Sequence, residues 1–178
     1  MSNTLVIHLK DKSTDFLKLV YKDKNYDVIN EFKTKKELKD AIRKHDKIIM
    51  MGHGLPNGLM NTIHNNCGML AVDDSFADLL RDKETISIWC WSDQYFRRNN
   101  IKGFHTGMII SECGEQAWAL GKVHLNPQEQ LANMEKFATI VGECVEKTPK
   151  EMQEYVLEHY NDNDEVTKYN RKNIIVLE

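Results

Sequence analysis

The stretch KIIMMGHG, residues 47–54, places a histidine between two glycines directly after a run of apolar residues. The four consecutive apolar residues at positions 48–51 predict a short strand that is buried on both faces. Gly52 has no side chain and can interrupt a regular strand, so we expect the strand to end there. His53 is therefore predicted to lie at the end of a buried strand.

The length and the charge of the chain limit its fold and its partners. The 178 residues fit a single domain over positions 1–178, and a domain of this size buries roughly 70% of the surface that its unfolded chain exposes. The formal net charge is −3, with acidic and basic residues mixed along the sequence. This balance argues against a nucleic acid or a membrane as the partner, and it favours a small molecule or another protein.

The N-terminal sequence and the cysteines indicate a cytoplasmic protein. The apolar run near the start is too short for a signal peptide, and no window approaches the length of a membrane span. Cys67, Cys90, Cys113 and Cys144 follow no paired spacing, so we expect free thiols in a reducing compartment. The sequence leaves the oligomeric state open.

Segments with strand-like and helix-like patterns alternate along the chain. Strands are predicted at residues 4–9, 26–32, 47–51, 85–91, 103–111 and 173–178, with a loop rich in glycine and asparagine at 52–68. Helices are predicted at residues 13–21, 34–45, 73–83, from 111 onwards, 126–147 and 148–160, with caps at Ser13 or Thr14, Thr34, Asp73 or Asp74, and Thr148. This order predicts an α/β fold, a three-layer sandwich in which helices cover both faces of a mostly parallel six-stranded sheet.

His53 and Cys90 follow the third and the fourth predicted strands. Because one crossover helix joins these strands, we expect them to be neighbours, with both residues at the carboxyl edge of the sheet. A thiol beside an imidazole can lose its proton and become a nucleophilic thiolate. The backbone amides of Gly54 and Cys90 are candidates for an oxyanion hole, which stabilises the negative charge that develops on an attacked carbonyl.

The two strands and their final residues resemble the caspase-like cysteine peptidases, a group that includes caspases, legumains, clostripains, gingipains, separases and bacterial CHAT proteins. The shared pattern is an apolar strand that ends in His-Gly, followed by an apolar strand that ends at the nucleophilic cysteine. IIMMGHG matches the first part and ISIWC the second, and the order of strands and helices over residues 4–90 fits as well. The sequence departs from the pattern in WCWSD, where Trp89 and Trp91 flank the cysteine.

The resemblance implies a caspase-like fold and a cysteine peptidase, with Cys90 as the nucleophile and His53 as general base and acid. The substrate would be a peptide or a protein, and no metal or organic cofactor is required. A caspase-fold domain without catalytic activity, acting as a binding or regulatory module, is the alternative. The unusual WCWSD context favours that alternative.

The same two residues also have simpler interpretations. His53 can be a turn histidine that bonds a backbone carbonyl, and Cys90 can be a buried apolar residue, as free cysteines usually are. A further hypothesis combines both residues with His64 and Cys67 as four ligands of a zinc ion.

Three residues are candidates for binding the substrate: Asp93, Trp91 and Asp74. In several caspase-like peptidases an acidic pocket residue selects a basic side chain before the cut bond, a role that Asp93, Asp73 or Asp74 would fill here. Each of these aspartates can instead be a helix cap. Trp91 would form an aromatic wall for the substrate.

Overall fold

The computed structural model describes residues 3–62 and 69–178, which contain two β-sheets. The strands are β1 (Thr4–His8), β2 (Asp27–Ile29), β3 (Lys47–Met51), β4 (Gly54–Leu55), β5 (Gly58–Met60), β6 (Leu70–Val72), β7 (Glu84–Ile88), β8 (Gly103–Thr106) and β9 (Ile174–Leu177). The larger sheet has six strands in the order β2-β1-β3-β7-β8-β9. Its pairs are parallel except β8 with β9, so the prediction of a mostly parallel six-stranded sheet is confirmed.

The helices connect these strands. They are α1 (Lys35–Arg43), α2 (Ala77–Leu80), α3 (Ser92–Arg98), α4 (Cys113–Leu120), α5 (Pro127–Cys144), α6 (Pro149–His159) and α7 (Glu165–Lys172), with 3₁₀ helices at Lys12–Val20 and Asp74–Phe76. Thr34 and Thr148 cap α1 and α6 as expected, because each side chain accepts the amide of the glutamate three residues later. None of the helices in the described part of the chain is long and apolar enough to cross a membrane.

Both faces of the large sheet are buried by helices. Ile49 and Ile86 belong to a core cluster on one face that also contains Phe137 of α5. Ile48, the neighbour of Ile49 along β3, belongs to a second cluster with Leu38 of α1. Successive side chains of a strand point to opposite faces, so these clusters mark two apolar layers, an arrangement compatible with a three-layer sandwich.

A small antiparallel sheet, β4-β5-β6, follows β3 directly, where the sequence predicted only a loop. The strands have two or three residues each, too few to produce a recognisable alternation of apolar and polar positions. Gly58 is required at the turn because its φ is +152° and an added Cβ would lie 2.0 Å from the Val72 carbonyl oxygen.

The structure also differs from the sequence-based expectations in several other elements. Residues 13–21 were expected to form a helix capped by Ser13 or Thr14, but the segment is a 3₁₀ helix whose N-cap is Asp11. The second, fourth and fifth predicted strands end earlier than expected, at Ile29, Ile88 and Thr106. The polar helix α7 was not predicted, because it has few apolar residues and its buried face includes the polar side chains of Thr167 and Asn170.

Candidate functional site

The ends of β3 and β7 form the candidate site, because these strands are adjacent as expected. Met51 and Ile88 are paired in the sheet, and the Gly52 amide donates to the Ile88 carbonyl oxygen at 3.1 Å. The two segments that follow these strands leave the sheet side by side. His53 and Cys90 both line one pocket of about 30 Å³. The structure thus brings the two candidate catalytic residues together, in a space with room for about one water molecule.

The glycines around His53 have different roles. Gly52 has a φ of +142°, a conformation that side chains disfavour, and it turns the chain out of β3. Gly54 lies against the indole of Trp89, so closely that an added Cβ would be 1.9 Å from the Trp89 Cδ1. Trp89 is buried and packs against Tyr95 and Phe96 of α3. The segment after His53 can therefore lie close to the segment that carries Cys90 only because residue 54 is glycine.

The amide of Gly54 points away from the small sheet. The Met60 amide donates to the His53 carbonyl oxygen at 2.9 Å, so these two residues form a hydrogen-bonded pair. Gly54 opposes Leu59, the next pair along the antiparallel ladder. Because hydrogen-bonded and non-hydrogen-bonded pairs alternate, the Gly54 N–H is not used by β5. An N–H that the sheet does not use is one requirement of an oxyanion donor, but Gly54 itself is not among the residues that line the pocket of His53 and Cys90.

Cys90 is partly buried and its thiol is protonated in the resting structure. Its Sγ donates to the Ile109 carbonyl oxygen at 3.6 Å, and burial raises the pKa of the thiol to about 11. Among the described residues, no hydrogen bond joins Cys90 to His53. The expected thiolate, activated by a neighbouring imidazole, is therefore not the resting state.

His53 has a polar neighbourhood that the sequence did not reveal. Its Nε2 lies 2.7 Å from the Ser13 Oγ and 3.9 Å from the Asp11 Oδ2. Ser13 in turn donates to Asp11 through both its hydroxyl group and its amide. A serine two residues after an aspartate is so common in turns that its spacing could have indicated a cap, but not a contact with His53.

The start of α3, just after Cys90, differs from the prediction that Asp93 caps this helix. Trp91, not Asp93, is the N-cap of α3, and it has a left-handed backbone with a φ of 63°. The Trp91 ring makes an edge contact with the exposed ring of Trp118 in α4, at 6.4 Å between centroids. Asp93 lies in the first turn of α3, where burial raises the pKa of its carboxyl group. Its Oδ1 is buried without a hydrogen-bond partner among the described residues.

Asp73 and Asp74 are engaged in local structure and do not line the pocket of His53 and Cys90. Asp73 caps the 3₁₀ helix Asp74–Phe76, as predicted for one of the two aspartates, and forms an ion pair with Lys35. Asp74 accepts hydrogen bonds from Arg98 at 2.8 Å and from Asn99 at 3.0 Å.

The zinc hypothesis combines His53 and Cys90 with two residues of the segment that follows β5 along the chain. His64 and Cys67 lie outside the described residues. Within residues 3–62 and 69–178 there is no group of three or more His, Cys, Asp or Glu side chains that could hold a metal ion.

Replacing Gly54 with alanine should destabilise the protein, because the new methyl group overlaps the Trp89 indole. We expect a loss of about 1–3 kcal/mol in the free energy of unfolding, typical of an overpacked core, measured by urea denaturation. Gly114→Ala is the matched control: an added Cβ there has no neighbour within 4 Å, so this helical substitution should be neutral or stabilising. Equal stability of Gly54→Ala and wild type would contradict the close contact.

The Cys90 thiol should react slowly at neutral pH, because its pKa is raised to about 11. The rate of iodoacetamide alkylation at Cys90, followed by peptide mass spectrometry, should rise about tenfold per pH unit above pH 7, since only the thiolate reacts. At pH 7 it should be roughly 100-fold slower than for glutathione, whose thiol has an ordinary pKa near 8.5. Fast alkylation that is independent of pH above 7 would indicate a preformed thiolate, and Cys90→Ser verifies the assignment.

Comparison with known proteins adds no relative to this geometry: no protein-family model matches the chain, and neither the curated proteins nor the solved structures contain a match.

Proposed function

We propose that the protein is a cysteine-dependent hydrolase, a peptidase of the caspase-like type with Cys90 as nucleophile and His53 as general base and acid. The observation that carries this proposal is the position of both residues in one pocket, at the ends of two adjacent parallel strands. A mostly parallel sheet covered by helices is also the architecture that the resemblance implies. The catalytic site would be built from the chain's own residues, without a metal or an organic cofactor.

The proposed reaction is acyl transfer in two steps. His53 takes the proton of Cys90 as the sulfur attacks the peptide carbonyl, and the Gly54 and Cys90 amides stabilise the oxyanion. The imidazolium of His53 then gives its proton to the leaving amine, and a thioester on Cys90 remains. Water, deprotonated by His53, attacks the thioester, which releases the carboxylic acid and returns the proton to the thiol.

The high pKa of Cys90 determines how the nucleophile is activated. With its pKa raised to about 11, the thiol does not form a stable ion pair with His53 before substrate binds. Proton transfer would therefore accompany attack, after the substrate carbonyl has entered the pocket and replaced the contact between Cys90 and Ile109. Catalytic hydrogen bonds are often long or poorly aligned in the free enzyme and tighten in the complex with substrate.

The substrate would be a peptide of which only a part enters the pocket of His53 and Cys90. A pocket of about 30 Å³ is far smaller than the roughly 300–1,000 Å³ of small-molecule sites, so most of the peptide would lie along the surface. Trp91 and Asp93, which follow Cys90, would contact it there. We place the reaction in the cytoplasm, a reducing compartment that would preserve the free thiols of Cys90, Cys113 and Cys144.

A catalytically inactive binding or regulatory module is the second candidate. Two observations favour it: the thiol pKa is raised to about 11, and the pocket around Cys90 is small. Both are properties of a cysteine that fills space. In this case the surface around Trp91 would bind a peptide without cleaving it.

The two candidate functions differ in the effect of substituting the dyad. Cys90→Ala and His53→Ala should each abolish nearly all hydrolysis of a fluorogenic peptide library, and the double variant should be little worse, because residues that act as a unit are not additive. Cys113→Ala should keep full activity. Both dyad variants should remain folded, since the side chains are only partly buried.

Two other results would count against the proposed peptidase. Cys90→Ala with full hydrolytic activity would exclude the proposed nucleophile. A loss of several kcal/mol of stability in Cys90→Ala, with no hydrolysis by the wild type, would support the inactive module.

Asp93 should give the enzyme a preference for arginine or lysine before the cut bond. Its buried Oδ1 lacks a partner among the described residues, and a cationic substrate side chain would supply one. Asp93→Asn should reduce the ratio of kcat/KM for basic over neutral substrates by about tenfold or more, and high salt should reduce it in the wild type. Unchanged selectivity in Asp93→Asn, or cleavage after acidic residues, would contradict this assignment.

A further inference from the structure

Asp11, Ser13 and His53 form a connected polar chain beside the pocket. The Asp11 Oδ1 accepts the Ser13 amide at 2.9 Å and the Ser13 hydroxyl at 2.7 Å. The Ser13 Oγ is 2.7 Å from the His53 Nε2, and the Asp11 Oδ2 is 3.9 Å from the same nitrogen. The Ser13 hydroxyl oxygen and the Asp11 Oδ2 therefore both lie near the same nitrogen of the imidazole ring.

The number of protons available to the hydrogen bonds among Asp11, Ser13 and His53 determines which nitrogen of the imidazole ring is protonated. A serine hydroxyl has one proton, and Ser13 donates it to the Asp11 carboxylate, which can only accept. The Ser13 oxygen can then interact with the His53 Nε2 only as an acceptor, so Nε2 must carry a proton. In the neutral ring the other nitrogen, Nδ1, is the basic one, and it has no hydrogen bond to a described residue.

We propose that Asp11 and Ser13 are positioning residues that fix His53 as its Nε2–H tautomer, leaving Nδ1 as the nitrogen that exchanges a proton with Cys90. This inference rests on the proposed peptidase function for the role of the proton. The assignment of the tautomer rests on the geometry alone.

The location of Asp11 makes it suitable for this role. It is the N-cap of the 3₁₀ helix Lys12–Val20, whose residues Leu17 and Val20 are buried in the core, so its position is fixed. Burial alone would raise the pKa of Asp11, but the hydrogen bonds from Ser13 and the charge of His53 outweigh it and lower the pKa. By the same interaction the Asp11 carboxylate stabilises the imidazolium that forms when Cys90 gives up its proton.

The chain contains a matched control for this arrangement. Asp73 and Ser75 form the same cap at the other 3₁₀ helix, where the Asp73 Oδ1 accepts the Ser75 amide at 3.0 Å and its hydroxyl at 2.6 Å. Within residues 3–62 and 69–178, the Ser75 hydroxyl bonds only to Asp73 and no histidine contacts it through a hydrogen bond. Ser75→Ala therefore removes the same turn contact as Ser13→Ala, but away from His53.

The tautomer can be tested without any substrate. In protein with ¹⁵N-labelled histidine, at a pH where the rings are neutral, His53 should give the Nε2–H pattern and a hydrogen-bonded Nε2–H proton signal. His53→Gln assigns the signals. Ser13→Ala should lose the Nε2–H proton signal to exchange with water, whereas Ser13→Thr and Ser75→Ala should keep it. An Nδ1–H tautomer in the wild type, or an unchanged signal in Ser13→Ala, would overturn the proposal.

The catalytic consequence is tested separately, on an active preparation. Ser13→Ala and Asp11→Asn, which keeps a capping side chain, should each lower kcat by at least about tenfold with little change in KM. The loss should remain below the roughly 10²–10⁴-fold that general acid–base catalysis contributes as a whole. Ser13→Thr should restore kcat to within about threefold, because the hydroxyl is retained.

The outcomes separate the two proposals. Full kcat in Ser13→Ala, in an enzyme that needs Cys90 and His53, would overturn the positioning role. Absence of hydrolysis in the wild type would refute the peptidase function, and the NMR result would still decide whether Asp11 and Ser13 fix the tautomer.

Discussion

The parallel pairing of β3 with β7 is the constraint on which the site depends. Backbone hydrogen bonds hold the two strands about 4.8 Å apart, and the pairing of Met51 with Ile88 makes them end at the same level. Any residue that follows one strand must then lie beside a residue that follows the other. A shift of the register by one residue would move the buried side chains of one strand to the wrong face, so the core on both sides of the sheet maintains the alignment.

Given this alignment, the two candidate catalytic side chains are held by different parts of the fold. The thiol of Cys90 is bonded to the backbone of Ile109, beyond β8. The ring of His53 is bonded to Ser13, beyond β1. In the resting arrangement each group is thus hydrogen-bonded to another segment, although both line one pocket. In the proposed reaction, substrate binding would break the hydrogen bond of the thiol, whereas the hydrogen bond of the ring would remain.

The parts of the fold that the sequence predicted correctly are those with strong local signals. The apolar run before Gly52 fills a strand that is buried on both faces, and the capping threonines Thr34 and Thr148 begin helices where expected. The pairing of the third and fourth predicted strands followed from the single crossover between them. These features depend on residues that are close together in the chain, or on rules of connection.

The remaining features depend on contacts between distant segments. The small sheet after β3 consists of strands too short for periodicity, and its turn is fixed by the contact of Gly58 with Val72. The cap at Asp11 was missed because Ser13 and Thr14 are equally good caps in isolation. That Ser13 contacts His53, 40 residues later, follows only from the tertiary structure. The environment of Cys90 is likewise set by burial, which no local pattern expresses.

The connection between β8 and β9 has a consequence for folding. Four helices, α4 to α7, separate these paired strands along the chain. Until those helices have formed, β8 presents an open edge with unpaired backbone groups, which can pair with another chain. Pairings between such distant segments form slowly. Refolding at high protein concentration should consequently favour aggregation, and the native yield should increase on dilution.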